Sequence, residues 1–309
     1  MNKSLDVRRI AIYLLFAFGI AWATALVIWR TGGLTDSPLL LTAPFPLSLA
    51  TALMATTYMF APALAVVLTR LVTREGWGNA WLRPRLRMGW PYWLAGWIGP
   101  GILTILGGAL FFAIFPRFFD PQLGALQEIL DAQTAQLGQE VALPISLPML
   151  VVAQTAQAML IAPLLNSLFT FGEEWGWRGY LQPKLMTGLG WRRTMLLMGV
   201  IWGVWHWPLI FMGYEYGFDY PGAPWLGPLV FLWFTFVVGT FLGWLALKGK
   251  SVWPAVIGHA AINGIAALPA LFVQGEPNPL LGPLPIGLIG SAGFAVVALW
   301  LFFRQDQHS

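Results

Sequence analysis

Apolar residues run along this chain in long blocks, separated by short intervals that hold most of the charge. A helix needs roughly 20 mostly apolar residues to cross the hydrocarbon core of a bilayer. Eight segments reach that length: about 10–29, 47–69, 92–115, 148–171, 194–212, 226–247, 253–273 and 282–303. The pattern predicts an all-α fold, a polytopic membrane helical bundle of about eight transmembrane helices. Gly and Pro interrupt several blocks, which membrane helices tolerate when neighbouring helices satisfy the freed backbone groups. Small residues such as Gly107, Gly108, Gly199, Gly203, Gly239 and Gly243 would let helices pack closely. In the longest polar interval, roughly 116–147, Leu123, Leu126, Ile129 and Leu130 recur at helical spacing. That interval predicts a short interfacial helix or a lid on the outer side.

Composition supports the membrane assignment. Of 309 residues 58% are hydrophobic and 10% are charged, against about 25% charged in soluble domains. The chain has no cysteine, which excludes disulfides, iron–sulfur clusters, thiolate catalysis and Cys-ligated zinc. The first residues are basic and resemble a signal-peptide leader, but the apolar run reaches Trp29 with no small-residue cleavage site, so a retained first helix is expected. There is no internal repeat and no second soluble domain. Residues 1–309 are expected to form a single integral membrane domain, with a catalytic core at 150–270.

The formal charge of +4 is spread over the intervals between apolar blocks, so topology explains it better than a nucleic-acid partner. Intervals assigned to one side carry Lys3, Arg8 and Arg9; Arg70, Arg74, Arg83, Arg85 and Arg87; Lys184, Arg192 and Arg193; Lys248 and Lys250; and Arg304. The other side has Arg30 and Arg117 against Asp36, Asp120, Glu128, Asp131, Glu140, Glu215, Asp219 and Glu276. Cytoplasmic loops carry the excess of Lys and Arg. A multi-pass protein of the cell membrane with both termini cytoplasmic is therefore expected.

Against this apolar background a few ionisable groups stand out. An acid or base at a helix centre costs on the order of 2.5 to 3.5 kcal/mol on insertion scales, so such groups are usually retained for function. The first element is Glu173-Glu174-Trp175-Gly176-Trp177-Arg178. Glu174 and Arg178 are four residues apart and share a helix face, while Glu173 points about 100° away. The second is Trp202-Gly203-Val204-Trp205-His206, and the third is His259-Ala260-Ala261-Ile262-Asn263, with His259 and Asn263 one turn apart. Each has a structural alternative: a solvated helix start, an interfacial aromatic belt, an interhelical hydrogen bond. Together they supply what hydrolysis needs. A carboxylate can take a proton from water, and His or Asn can hold the oxyanion formed when water attacks a carbonyl. Glu with two His is also a catalytic zinc set. No HExxH, GxSxG or phosphate-loop motif is present.

In this order, the three elements resemble the intramembrane proteases related to the type II CAAX prenyl endopeptidases, the CPBP or Abi family. The family pattern of EExxxR, an aromatic residue four before a histidine, and HxxxN reads here as Glu173-Glu174-x-x-x-Arg178, Trp202-x-x-x-His206 and His259-x-x-x-Asn263. Trp202 departs from the Phe common at its position and keeps an aromatic wall. The resemblance implies an intramembrane endopeptidase acting on a membrane-associated or lipidated peptide or protein within the lipid bilayer. It assigns water activation to Glu173, with His206 polarising the water or holding a metal. His259 and Asn263 would stabilise the oxyanion, and Glu174 and Arg178 would orient the site. Zinc held by Glu173, His206 and His259 and a metal-free mechanism are both compatible with it. A bacteriocin-immunity or scaffold protein and a proton-coupled transporter are the alternatives. Since Glu173 follows the 148–171 block, the site is expected to open near the cytoplasmic face.

Overall fold

Helices supply almost all the regular structure in residues 5–42, 46–137 and 145–304, which the computed structural model describes. Lys3, Glu140 and the part of the 116–147 interval at 138–144 lie outside the described residues. Helix α1, Val7–Arg30, starts at Asp6, whose carboxylate accepts the Arg9 N–H at 3.3 Å and so fills one of the donor positions left open at a helix start. Its buried stripe is Ile10, Tyr13, Ala17, Ala21, Ala25 and Ile28. The small alanines bring the neighbouring helix close, while Leu15, Leu26 and Trp29 are exposed on the surface that lipid would cover.

A short hairpin pairs β1, Leu39–Leu41, with β2, Leu47–Ser48. The next rod joins α2, Leu49–Leu53, to α3, Met59–Thr73, through a wide π-turn at Met54–Tyr58. Pro62 follows just inside α3. Proline has no N–H to offer the carbonyl four residues back, here that of Tyr58, and the wider turn sits where the regular ladder is interrupted. Helix α4 spans Leu86–Ile114 and α5 Gly124–Leu137. The predicted helix in the 116–147 interval is thus present, and Leu123 and Leu126 pack against Val151. Ile129 instead stays exposed.

Helices α6, Leu147–Leu160, and α7, Ala162–Gly176, meet at a 45° bend beside Pro163. A second π-turn, Trp177–Leu181, leads into α8, Gln182–Ile210. This run is not one straight helix. Trp202 Nε1 lies 2.8 Å from Glu173 Oε2, yet 29 residues of continuous helix would hold them roughly 43 Å apart. The reversal is at Gly190, with φ 68° and ψ −178°, a backbone conformation that a residue with a Cβ rarely adopts. Helices α9, Leu226–Gly249, α10, Trp253–Ile265, and α11, Ala292–Arg304, complete the bundle.

The fold is the all-α polytopic membrane bundle that the apolar blocks predict. By length and composition, five helices among the described residues can cross a membrane, or six if the bent pair is one span. The predicted count of eight is not confirmed. The 282–303 block differs most: its helix begins only at Ala292, because Gly282, Pro283, Pro285 and Gly287 set a run of turns before it. At 13 residues it is about 20 Å long, short of the roughly 30 Å core. Close packing by small residues is realised where Gly107 faces the Gly290 carbonyl, leaving no room for a Cβ.

The two ends of the bundle are each tied together. At the basic end Lys184 Nζ meets Glu75 Oε1 at 2.7 Å, Trp253 Nε1 donates to the Leu82 carbonyl and Arg192 to that of Phe303. At the other end Asp120 N–H donates to the Phe272 carbonyl, Gln274 N–H to that of Phe118, and the Tyr216 hydroxyl to that of Ile286.

Candidate active site

Helix α7 carries both glutamates, and their neighbouring positions turn them toward different helices. Glu173 accepts a hydrogen bond from Trp202 Nε1 at 2.8 Å, on the outbound leg of α8. Glu174, fully buried, faces Arg178 and α10: its Oε1 accepts from Arg178 Nη1 at 2.9 Å and lies 2.9 Å from His259 Nδ1. The Arg178 guanidinium stacks 4.4 Å from the centre of the Trp202 ring, a cation–π contact. Gly239 of α9 leaves the space for it, since a Cβ there would stand 3.2 Å from Nη2. Burying a charge is costly unless it is paired and hydrogen-bonded, and the Glu174–Arg178–His259 arrangement meets that condition only in part. Glu174 Oε2 and Arg178 Nε and Nη2 have no hydrogen-bond partner.

His206 shows how the backbone sets a side chain's chemistry. Its Nδ1 is 2.8 Å from the Trp202 carbonyl. A carbonyl only accepts, so Nδ1 carries the proton and Nε2 of the neutral ring is left with a lone pair. Trp205 and Phe231 clamp the ring, with centroids 4.7 and 5.0 Å away. For His259, the Glu174 carboxylate likewise favours a proton on Nδ1.

Glu173, His206, His259 and Asn263 line one cavity of about 110 Å³. Asn263 is exposed, and among the described residues no hydrogen bond fixes its amide. The structure thus brings all four groups to one space, with Glu174 and Arg178 behind its wall. A second cavity of about 470 Å³, lined by Asp120, Glu128, Gln274 and Pro283 among others, shares Glu215 and Ile286 with the first. Burial pushes the Glu215 carboxyl up to about 7.

Glu173 precedes the reversal at Gly190 by a helix length of roughly 25 Å. The cavity is completed by Tyr214, Glu215, Pro285 and Ile286, from the opposite end of the bundle. Several of its groups were not singled out in the sequence. Tyr58, whose hydroxyl donates to the Trp205 carbonyl at 2.5 Å, comes from the π-turn before α3. Trp202 was expected to supply an aromatic wall and also supplies the N–H on Glu173. Glu215 was counted only as an outer charge, and its place among Tyr214, Tyr216 and Tyr220 was the available signal.

Both histidines have the outer hydrogen bond that zinc ligands usually make, Nδ1 to a carbonyl or carboxylate. Even so, among the described residues no three His, Asp or Glu side chains converge closely enough to hold a metal ion. Glu173, His206 and His259 as placed do not fit a zinc cage.

Comparison with known proteins follows the same segment. Residues 148–265 match the family model of the type II CAAX prenyl endopeptidases, Rce1-like. The chain is similar to the CAAX prenyl protease 2 of Methanococcus maripaludis, 36% identical over 93 residues, covering 29% of this chain and 34% of the relative. The matched part of the chain spans about a third of that relative's length.

Proposed function

We propose, because residues 148–265 match the family model of the type II CAAX prenyl endopeptidases, that this chain is an intramembrane endopeptidase that hydrolyses a peptide bond of a membrane-associated or lipidated protein. Residues 150–270 are its catalytic core within one membrane domain. The observation that supports this most directly is that Glu173, His206, His259 and Asn263 line one cavity.

A water held between Glu173 and His206 Nε2 meets two acceptors and gives one hydrogen to each. Glu173 removes a proton as general base, the hydroxide adds to the scissile carbonyl carbon, and the carbonyl oxygen takes the negative charge. Asn263 Nδ2 and His259 stabilise that oxyanion, and Glu174 holds the His259 ring in place through Nδ1. The C–N bond then breaks, and the proton on Glu173 passes to the departing amine. Arg178 holds Glu174 in place. No step needs a metal.

The test is cleavage of membrane-anchored and prenylated C-terminal peptides by purified protein in lipid nanodiscs, with products identified by mass spectrometry. A defined new terminus, lost in Glu173→Gln and in His206→Ala, is expected. Equal cleavage by those variants would overturn the assignment.

A further inference from the structure

Apart from the glutamate site, the basic end of the bundle carries a cavity of about 720 Å³. Arg83, Arg85 and Lys250 line it beside Trp77 and Trp81, and among the described residues no Asp or Glu does. All three cations are exposed, and among the described residues none of them makes an ion pair. Arg9 and Lys184, at the same end, are instead taken up by Asp6 and Glu75. The loop that carries Arg83 and Arg85 is braced. The Ala80 carbonyl accepts Trp175 Nε1 at 3.1 Å, that of Trp81 the Val252 N–H at 3.0 Å, and that of Leu82 Trp253 Nε1 at 2.7 Å. Trp81 and Arg85 take φ of 61° and 49°, which is uncommon for a residue with a Cβ. The backbone under the cations is thereby fixed.

Depth and shape point to a lipid. Arg85 and Lys250 directly flank two helices long and apolar enough to span, Leu86–Ile114 and Leu226–Gly249, so the cavity lies at the level of the lipid phosphates. An apolar groove of about 500 Å³ begins at the next residue, Leu86. Leu86, Trp90, Leu94 and Ile98 recur every four residues as an exposed stripe of α4 that lines it. Trp93 Nε1 donates to the Pro84 carbonyl and Trp97 Nε1 to that of Met159. Both polar edges are used within the protein, and the rings leave the groove apolar. From Leu86 to Ile98 the helix rises about 18 Å, close to the one-leaflet half of a hydrocarbon core of roughly 30 Å.

We propose that this surface binds one anionic phospholipid, with its phosphate among Arg83, Arg85 and Lys250 and an acyl chain in the α4 groove. Basic pockets beside membrane helices suit such head groups. Three cations without an acid favour a lipid of net negative charge over a zwitterionic one, and the groove favours a lipid over a free anion. The bound lipid touches the catalytic helix through one ring: Trp77, in the cavity wall, stacks on Trp175 at 6.4 Å, beside Glu174. A ligand that binds only the folded state also stabilises it.

The test titrates the purified, lipid-stripped full chain in detergent with dioleoyl phosphatidylglycerol, dioleoyl phosphatidylcholine or inorganic phosphate. Native mass spectrometry counts bound lipid, and a melting curve follows stability. One phosphatidylglycerol is expected to bind saturably and raise the melting midpoint, with phosphatidylcholine much weaker and phosphate without effect. The Arg83→Gln, Arg85→Asn, Lys250→Asn triple variant should lose roughly 100-fold in apparent affinity. Asn is used at 85 and 250 because it tolerates left-handed backbone. Should the triple not fold, Arg83→Gln alone should weaken binding by about fivefold. Trp90→Ala with Leu94→Ala should weaken it by roughly tenfold or more. An Arg8→Gln, Arg193→Gln, Arg304→Gln triple removes the same charge from the same end and should bind as the wild type does. Equal weakening by the two triples would reduce the effect to diffuse surface charge and overturn the site. Phosphatidylcholine or phosphate binding as tightly as phosphatidylglycerol would overturn the choice of ligand. No readout uses proteolysis, so this result and the endopeptidase proposal stand or fall separately.

Discussion

Two acids in this molecule are each held between two nitrogen-bearing side chains, and they are finished differently. Glu75, at the basic end, has both oxygens in use: Oε1 takes Lys184 at 2.7 Å, and Oε2 takes the Tyr180 hydroxyl at 2.7 Å with Arg9 at 3.6 Å. Glu174, in the centre, has Arg178 and His259 on the same oxygen and nothing on the other. The first cluster is partly open to water, which limits what it contributes, and its hydrogen bonds are complete. The second is sealed from water and incomplete. A buried polar group left unpaired costs on the order of 1 to 3 kcal/mol, so a stable fold would avoid it without another use for the site. Saturation marks a brace, and unused capacity next to a cavity marks chemistry.

The comparison can be broken most decisively at Glu173. Glu173→Gln keeps the size and the Trp202 contact but removes the base, and is expected to lower cleavage by about 100- to 10,000-fold with the thermal midpoint nearly unchanged. Mass-spectrometric product counts and a melting curve decide it, and a variant that retains its rate refutes the role. Next comes Glu174→Ala, which strands a buried Arg178. Breaking such a pair from one side costs about 3–5 kcal/mol, read as a large drop in the melting midpoint in detergent. The Glu174→Met, Arg178→Met double variant should recover part of that stability and none of the activity; recovery of both would make the pair structural.

Smaller effects sharpen the contrast. Trp202→Phe keeps the ring and removes the N–H on Glu173, a hydrogen bond to a charged group of the kind that contributes about 1.5–3 kcal/mol. The expected result is a fall of roughly tenfold or more in kcat, with KM little changed. An unaltered kcat would show that the indole only packs. Glu75→Gln is expected to cost about 1 kcal/mol or less and leave cleavage intact. Its pH dependence has a definite sign. Burial raises the Glu75 carboxyl, but hydrogen bonds from Lys184 and Tyr180 outweigh this and hold it below its ordinary 4.5. The depressed native value means the stabilisation is full above about 4.5 and is lost as the pH falls through the lower native value. Denaturation of the wild type and Glu75→Gln should therefore converge in acid, and a constant gap between them would contradict it.

The membrane helices were legible because their signal is local: a block of apolar residues has nowhere to go but lipid or core. The chemistry-bearing residues were legible because charge inside such blocks is rare. The depth of the site was not. Glu173 follows the apolar run 148–171, which suggested a membrane boundary, but the helix continues through Trp177 and Leu181 to Gly190. Polar residues there are buried by other helices instead of by solvent, and no single segment reports that. The short α11 escaped for a related reason, since hydropathy counts Pro283 and Gly287 as members of an apolar run whether or not the backbone can wind there. Tyr58 and Glu215 reach the cavity through long-range packing, which spacing along the chain does not encode.

The wide turn at Trp177–Leu181 has a consequence for registry. One extra residue in a helix shifts the angular phase of everything beyond it by about 100°. Upstream of the turn the helix presents Glu173 and Glu174 to α8 and α10; downstream it presents Lys184 to Glu75. A uniform helix would have to misdirect one of these two ends. Deleting a single residue from the turn would therefore leave the helix well formed and yet set its two ends out of phase with each other.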